Sequence, residues 1–324
     1  MKCTSKFVIV SLITIILLFL CGCASSSYRI PYDVNSSIRA YSFDSYNSEG
    51  EAATFASTLC VAAEDITVNS ADMSDSSAAA LFNISKNQTV YAKCVNNSLH
   101  PASLTKIMTA YLALKYGKSE DILTASSSVE EIESGAQVCG FKEGDSLTLD
   151  QVLYGLLLYS GNDAGVMVAE YVSGSIDEFS DLMNKEAKML GATNTHFTNP
   201  HGLTDDNHYT TAYDTYLIFN AALQYDKFMD IIRTPEYKTS YTDKDGNQKD
   251  IKFSTTNNYI AKAVKAPDDI NVLGGKTGTT KAAGNCLILL STNSFGENYI
   301  SIVMNTPDKD TMYSQMNGLL KLIP

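Results

Sequence analysis

Pro101-Ala102-Ser103-Leu104-Thr105-Lys106-Ile107-Met108-Thr109-Ala110 is the stretch on which the reading of this chain turns. Apolar residues at Leu104, Ile107, Met108, Tyr111, Leu112 and Leu114 recur with a helical period that ends at Gly117. Pro101 suits the first turn, where backbone amides lack intrahelical partners. Side chains three apart stand on one helix face, so the Ser103 hydroxyl and the Lys106 amine are expected within hydrogen-bond reach. An ammonium among core residues is unfavourable unless paired or neutral. A desolvated lysine of lowered pKa can accept the proton that a serine must lose to become a nucleophile. An isolated Ser-x-x-Lys is more often structural than catalytic, so the rest of the chain decides.

Working outward, Thr148-Leu149-Asp150-Gln151 has the spacing of a capping box ahead of an apolar run from Val152 to Tyr159. The run stops at Ser160-Gly161-Asn162, and Asp163 suits the cap of a second apolar helix. Two polar side chains are thereby confined to a bend between buried helices. An amphipathic helix is predicted over residues 177–190, another over 211–225 and a last one over 310–322. Ala78 to Ile84 and Gln88 to Ala92 read as a strand hairpin. Near the other end, Lys276-Thr277-Gly278-Thr279-Thr280 precedes two strands, Cys286 to Ser291 and Tyr299 to Asn305. Strands at both ends with helices between predict a mixed α/β (α+β) domain: an antiparallel sheet built from both ends, flanked by helices, with a helical insertion.

Ser103-Leu104-Thr105-Lys106, Ser160-Gly161-Asn162 and Lys276-Thr277-Gly278 follow the order of the triple signature of penicillin-binding proteins and class A β-lactamases. The words around them, including Asn199-Pro200-His201-Gly202-Leu203 and His208-Tyr209-Thr210-Thr211-Ala212, resemble the D-alanyl-D-alanine carboxypeptidase family from about Ala78 to Thr306. The resemblance implies a β-lactamase/transpeptidase-like fold and acyl transfer on the D-Ala-D-Ala end of peptidoglycan stem peptides, with β-lactams as covalent inhibitors. It implies Ser103 as nucleophile, Lys106 as its base, Ser160 as proton relay, Asn162 on a substrate amide and Lys276 as a positive charge. The backbone N–H groups of Ser103 and Thr279 would form the oxyanion hole, Gly278 would let a peptide lie along the strand edge, and Thr277, Thr279 and Lys276 would do most of the carboxylate recognition. No cofactor and no metal is implied. A β-lactamase remains an alternative, although no Glu-x-x-Leu-Asn stands between Asn162 and Lys276; so does a non-enzymatic penicillin-sensing or wall-binding module.

Lys2 and Lys6 precede about fourteen apolar residues, the pattern of an export signal. Gly22-Cys23 resembles a bacterial lipoprotein junction, with residues 1–22 as signal and Cys23 as the lipid site; plain cleavage near Ala24 is the alternative. Residues 23–52, rich in Ser, Asn and Tyr, read as a tether, and residues 53–324 as one catalytic domain. Many family members carry a β-rich C-terminal domain; this chain reaches only Pro324, so none is expected and membrane attachment is assigned to the N-terminal end. A net charge of −12, with Arg233 the only Arg beyond the tether, speaks against nucleic-acid binding. Cys60, Cys94, Cys139 and Cys286 have no Cys-x-x-Cys spacing and are expected free or buried. The spacing of His196, His201 and His208 fits loop-fixing roles better than a metal site.

Overall fold

The first predicted hairpin forms: strand β1 (Ala78–Asn83) pairs antiparallel with β2 (Gln88–Lys93). Every residue of β1 is buried because both of its faces are covered. Ala78, Ala80 and Phe82 face one apolar cluster, while Ala79 and Leu81 face another. A strand covered on both sides reads as a continuous apolar run and not as an alternation, which is what Ala-Ala-Ala-Leu-Phe shows. The structure, a computed structural model, describes residues 58–67 and 71–324. The predicted signal, Cys23 and the whole of the tether lie outside the described residues.

Three further strands complete this sheet: β7 (Ile270–Thr280), β8 (Gly284–Asn293) and β9 (Asn298–Thr306). Its order is β2-β1-β9-β8-β7, all antiparallel, with Ala80 opposite Ile302 and Gly278 opposite Cys286. The sheet is thus assembled from both ends of the domain, as predicted. Lys276-Thr277-Gly278 lies toward the end of an 11-residue strand whose start at Ile270 the sequence reading did not place.

Helix α1 (Thr105–Tyr116) runs through the centre of the larger cluster, with nine residues from Thr105 to Ala113 buried. A short 3-10 turn, Ala102–Leu104, precedes it. Pro101 therefore does not open the helix directly: Ala102 takes φ of 47°, a left-handed conformation that a residue with a Cβ rarely adopts. The predicted capping box is present at α2 (Leu149–Tyr154), where Thr148 and Gln151 bond reciprocally. The apolar run then loosens into a π turn over Gly155–Tyr159, and Ser160 is left-handed at φ 69°. Helix α3 (Asn162–Ser173) starts from Gly161, not from Asp163 as expected.

The remaining helices are α4 (Ile176–Met189), α5 (Ala212–Ala222), α6 (Asp226–Ile232) and α7 (Lys309–Leu320). Ser175, Thr211 and Asp308 cap three of them through their side chains. The predicted helix over 211–225 is present as α5 but ends three residues early, and after the extended Tyr225 the chain enters α6, which the sequence reading did not place. Helix α7 packs on the face of the main sheet opposite α1 and supplies Met312, Met316, Leu319 and Leu320 to the second cluster.

A second sheet was not anticipated. It has the order β3-β4-β5-β6, with β3 (Ile122–Thr124), β4 (Ser146–Thr148), β5 (Glu236–Thr242) and β6 (Gln248–Ser254). The β5–β6 hairpin closes over Asp243, whose Oδ1 accepts from the N–H groups of Asp245 and Asn247. It returns the chain across the π turn, where Thr256 N donates to Leu158 O at 3.1 Å. That return carries Thr256 to the place where the main sheet meets α1.

Candidate active site

The turn bearing Ser103 is held from two sides by backbone that has no side chain. A Cβ on Gly278 of β7 would stand 3.0 Å from Pro101 O and 3.1 Å from Ser103 N. A Cβ on Gly202 would overlap Ala102 O, and Gly202 itself needs φ of 87°. Gly278 is therefore required by the close approach of the strand to the serine turn, a reason the sequence reading did not give. The Gly202 loop is fixed in turn by Asn199, whose Oδ1 accepts from Gly202 N at 2.7 Å and whose Nδ2 donates to Leu203 O at 3.1 Å. Thr109 of α1 donates to Pro200 O at 2.6 Å.

This loop aims the His201 carbonyl at Lys106. The Lys106 amine lies 2.7 Å from His201 O, 2.6 Å from Asn162 Oδ1 and 3.0 Å from Ser103 Oγ. Two of these partners are carbonyl oxygens, which only accept. A neutral amine has two N–H groups and one lone pair. With both N–H groups directed at the carbonyls, the lone pair faces the one partner that can donate, the Ser103 hydroxyl. Burial drives the Lys106 pKa well below the ordinary lysine value, and the charge of Lys276 lowers it further. Lys106 is 0 % exposed, so its amine is best accommodated uncharged.

A second chain of hydrogen bonds runs beside the first. Lys276 Nζ donates to Ser160 Oγ and to Thr277 O, each at 2.9 Å. Burial alone brings the Lys276 pKa down to about 7. Ser160 reaches Lys276 because its left-handed conformation turns it out of the π turn, and such π segments recur at functional sites. The bend around it is filled by Cys139: a Cβ on Gly155 would come 2.8 Å from Cys139 Sγ, and one on Gly161 would overlap that sulfur. Burial holds the Cys139 thiol well above its usual pKa.

Asp163, expected as a helix cap, does a different job. Fully buried, it accepts hydrogen bonds from Cys139 N, Gly140 N and Phe141 N, at 2.8 to 3.1 Å. The loop so fixed presents Gln137, whose carbonyl takes the N–H of Asn162 at 2.8 Å. All eight residues predicted for the site thus meet in one cleft. Two cavities open from Ser103: one of about 180 Å³ lined by Ser160, Thr256, Thr277 and Thr279, the other of about 460 Å³ lined by Gln137, Asn162, His201 and Thr280. Thr256 was missed; its Oγ1 is 2.7 Å from Thr277 Oγ1. The alternating Tyr237, Thr239, Tyr241 run and the Asp-Gly turn at Gly246 were the signals that could have revealed the hairpin that delivers it.

The histidines are used to hold loops. His208 Nε2 lies 2.8 Å from Thr105 Oγ1 while its Nδ1 accepts from Thr198 N at 3.0 Å, and burial lowers its pKa to about 4. Burial lowers that of His201 to about 3. Among the described residues no group of three or more His, Cys, Asp or Glu is placed to hold a metal ion. Cys60, Cys94, Cys139 and Cys286 are free, as the spacing suggested.

Known proteins resemble this chain in sequence and in fold. A family profile described as D-alanyl-D-alanine carboxypeptidase matches residues 65–308. The chain is 37% identical over 218 residues to the D-alanyl-D-alanine carboxypeptidase DacF of Bacillus subtilis, covering 66% of this chain and 53% of that protein. It is 36% identical over 222 residues to DacA of Haemophilus influenzae, covering 64% and 51%. The chain therefore spans about half the length of these curated relatives. The crystal structure of the Streptomyces K15 DD-transpeptidase superposes with a TM-score of 0.72 at 24% identity, over 78% of this chain and 98% of that one, and so shares its fold.

Replacing Asp163 with Ala leaves the N–H groups of Cys139, Gly140 and Phe141 without their acceptor. The expected loss is about 3 kcal/mol or more of unfolding free energy in a urea titration. A loss below about 1 kcal/mol would show that water satisfies the loop instead.

Proposed function

Because this chain belongs to the D-alanyl-D-alanine carboxypeptidase family, matched over residues 65–308, we propose that it is a serine-type carboxypeptidase. It removes the terminal D-Ala from peptidoglycan stem peptides through an acyl-enzyme, and β-lactams acylate the same serine. The observation that carries the reading is the Lys106 amine, buried, lowered in pKa and 3.0 Å from Ser103 Oγ. A lysine so placed has the properties of a base and little purpose as a structural ion.

The steps follow from the two hydrogen-bond chains. Ser103 Oγ attacks the penultimate carbonyl carbon while its proton passes to Lys106 Nζ. The oxyanion is received by the N–H groups of Ser103 and Thr279, an arrangement worth about 3 kcal/mol per donor in other acyl-transfer enzymes. As the C–N bond breaks, Ser160 hands a proton to the leaving amine and recovers one from Lys276, 2.9 Å away. Asn162 holds a substrate amide while its Oδ1 keeps the Lys106 amine in place. An extended peptide would pair with the outer edge of β7, the last strand of its sheet, through Thr277 to Thr279. Proton exchange with solvent then returns Lys106 to its neutral form and Lys276 to its charged form, and water clears the acyl group with Lys106 again as base.

Residues 1–22 are read as an export signal, residues 23–52 as the tether and residues 53–324 as the catalytic domain, placing the enzyme outside the cytoplasm. We assign attachment to a lipid on Cys23. Mass spectrometry of the mature N-terminus should find a lipidated Cys23; a free amino terminus near Ala24 would replace that assignment with simple secretion.

The direct test is release of D-Ala from diacetyl-Lys-D-Ala-D-Ala. The wild-type protein should release it and Ser103→Ala should not; release by the mutant would overturn the assignment of the nucleophile.

The two lysines also set a pH profile. Lys106 must be neutral to accept a proton, and Lys276, with its pKa near 7, must be charged to give one. Acylation by a fluorescent penicillin should therefore rise and then fall with pH. Since the charge of Lys276 lowers the Lys106 pKa, Lys276→Met should move the acidic limb to higher pH and remove the alkaline limb, besides slowing the reaction. An acidic limb that stays in place would mean the two amines do not interact.

A further inference from the structure

The leaving D-Ala carries a carboxylate, and the residues expected to recognise it are already engaged. Lys276 is 1 % exposed, with its amine bonded to Ser160 and Thr277 O, and it does not line the 180 Å³ cavity. Thr277 shares its hydroxyl with Thr256, and Thr279 donates its own to Asn285 Oδ1 at 3.1 Å. Neither threonine brings charge. Arg233 follows the end of α6 and lines neither cavity.

The direction in which the D-Ala must lie is fixed by the proton it needs. The leaving amine takes its proton from Ser160, so the departing residue occupies the cavity on the Ser160 side of Ser103. Besides Ser160, Thr277 and Thr279, that cavity is lined by Lys309, Met312 and Tyr313. Met312 offers an apolar surface for a methyl group, and Tyr313 is held in place by its hydroxyl, which accepts from Asn258 N at 2.9 Å. Lys309 is the one lining residue there with a cationic side chain. It is exposed and forms no ion pair or side-chain hydrogen bond among the described residues. Its acidic neighbours are accounted for: Asp308 accepts from Thr311 N at 2.7 Å, and Asp310 lines a separate cavity with Asp72 and Asp75. Lys281, the other exposed lysine near the cleft, lines the opposite, acyl-side cavity.

We propose that Lys309, at the start of α7, is the specificity residue that binds the terminal carboxylate of the substrate. The proposal rests on the carboxypeptidase reading. A charge-assisted bond of this kind discriminates strongly between a carboxylate and a neutral group of the same shape.

The test compares diacetyl-Lys-D-Ala-D-Ala with the same peptide ending in a carboxamide, for the wild type, Lys309→Met and Lys309→Arg, with thermal unfolding as the check on folding. The wild type should prefer the acid. Lys309→Met should lower kcat/KM for the acid about ten- to hundredfold, chiefly through KM, and shrink the acid-to-amide ratio by a similar factor. Lys309→Arg should restore most of the ratio. If folded Lys309→Met keeps the wild-type ratio, the assignment is wrong. If the wild type cleaves neither peptide, the carboxypeptidase reading falls and this one with it.

Discussion

Two lysine amines with almost no access to water are the constraint around which this molecule is arranged. An ammonium in such a place is strongly disfavoured, and the structure meets the difficulty by lowering both pKa values and supplying oxygen partners for every N–H. The partners come from far apart in the chain. Lys106 draws on α3 through Asn162 and on the His201 loop, while Lys276 in β7 draws on the bend at Ser160. Bringing them together requires the helical region and the sheet to meet at one line, so the cleft follows from the solvation of the lysines.

The seam is narrow because glycine lines it on both sides of the serine turn. Gly202 and Gly278 allow two backbones to press on Pro101 to Ser103, at a distance that a methyl group would forbid for Gly202 and would crowd for Gly278. The left-handed backbone of Ala102 is held under the same pressure. Ser103, the proposed nucleophile, thereby gains a fixed position without depending on a ligand to order it, which favours a reaction requiring alignment within a fraction of an ångström.

Much of this was legible in the sequence because its signals are local. Helical period, the capping box at Thr148 and the apolar run of β1 each depend on a few neighbouring residues. The eight residues proposed for the site could be singled out because three short words occur in a fixed order. What escaped notice depends on distant contacts. Ser-Gly-Asn is read as a turn, but only the packing of Cys139 against Gly155 and Gly161 explains its shape. Asp163 looks like a helix cap until the N–H groups of residues 139 to 141 are found around it. Lys309 carries no sequence signature; it joins the proposed site only because the start of α7 and the end of β7 line one cavity.

The pairing of β1 with β9 bears on when the molecule can form. Ala80 and Ile302 stand opposite each other in the sheet although nearly the whole domain separates them in sequence. Such a sheet cannot close on a growing chain: β1 has only β2 beside it until the C-terminal strands arrive. Both apolar clusters draw on β8 and β9, so neither is complete before then. A polypeptide built this way stays open to threading until its last strands emerge, and its architecture suits delivery across a membrane before folding.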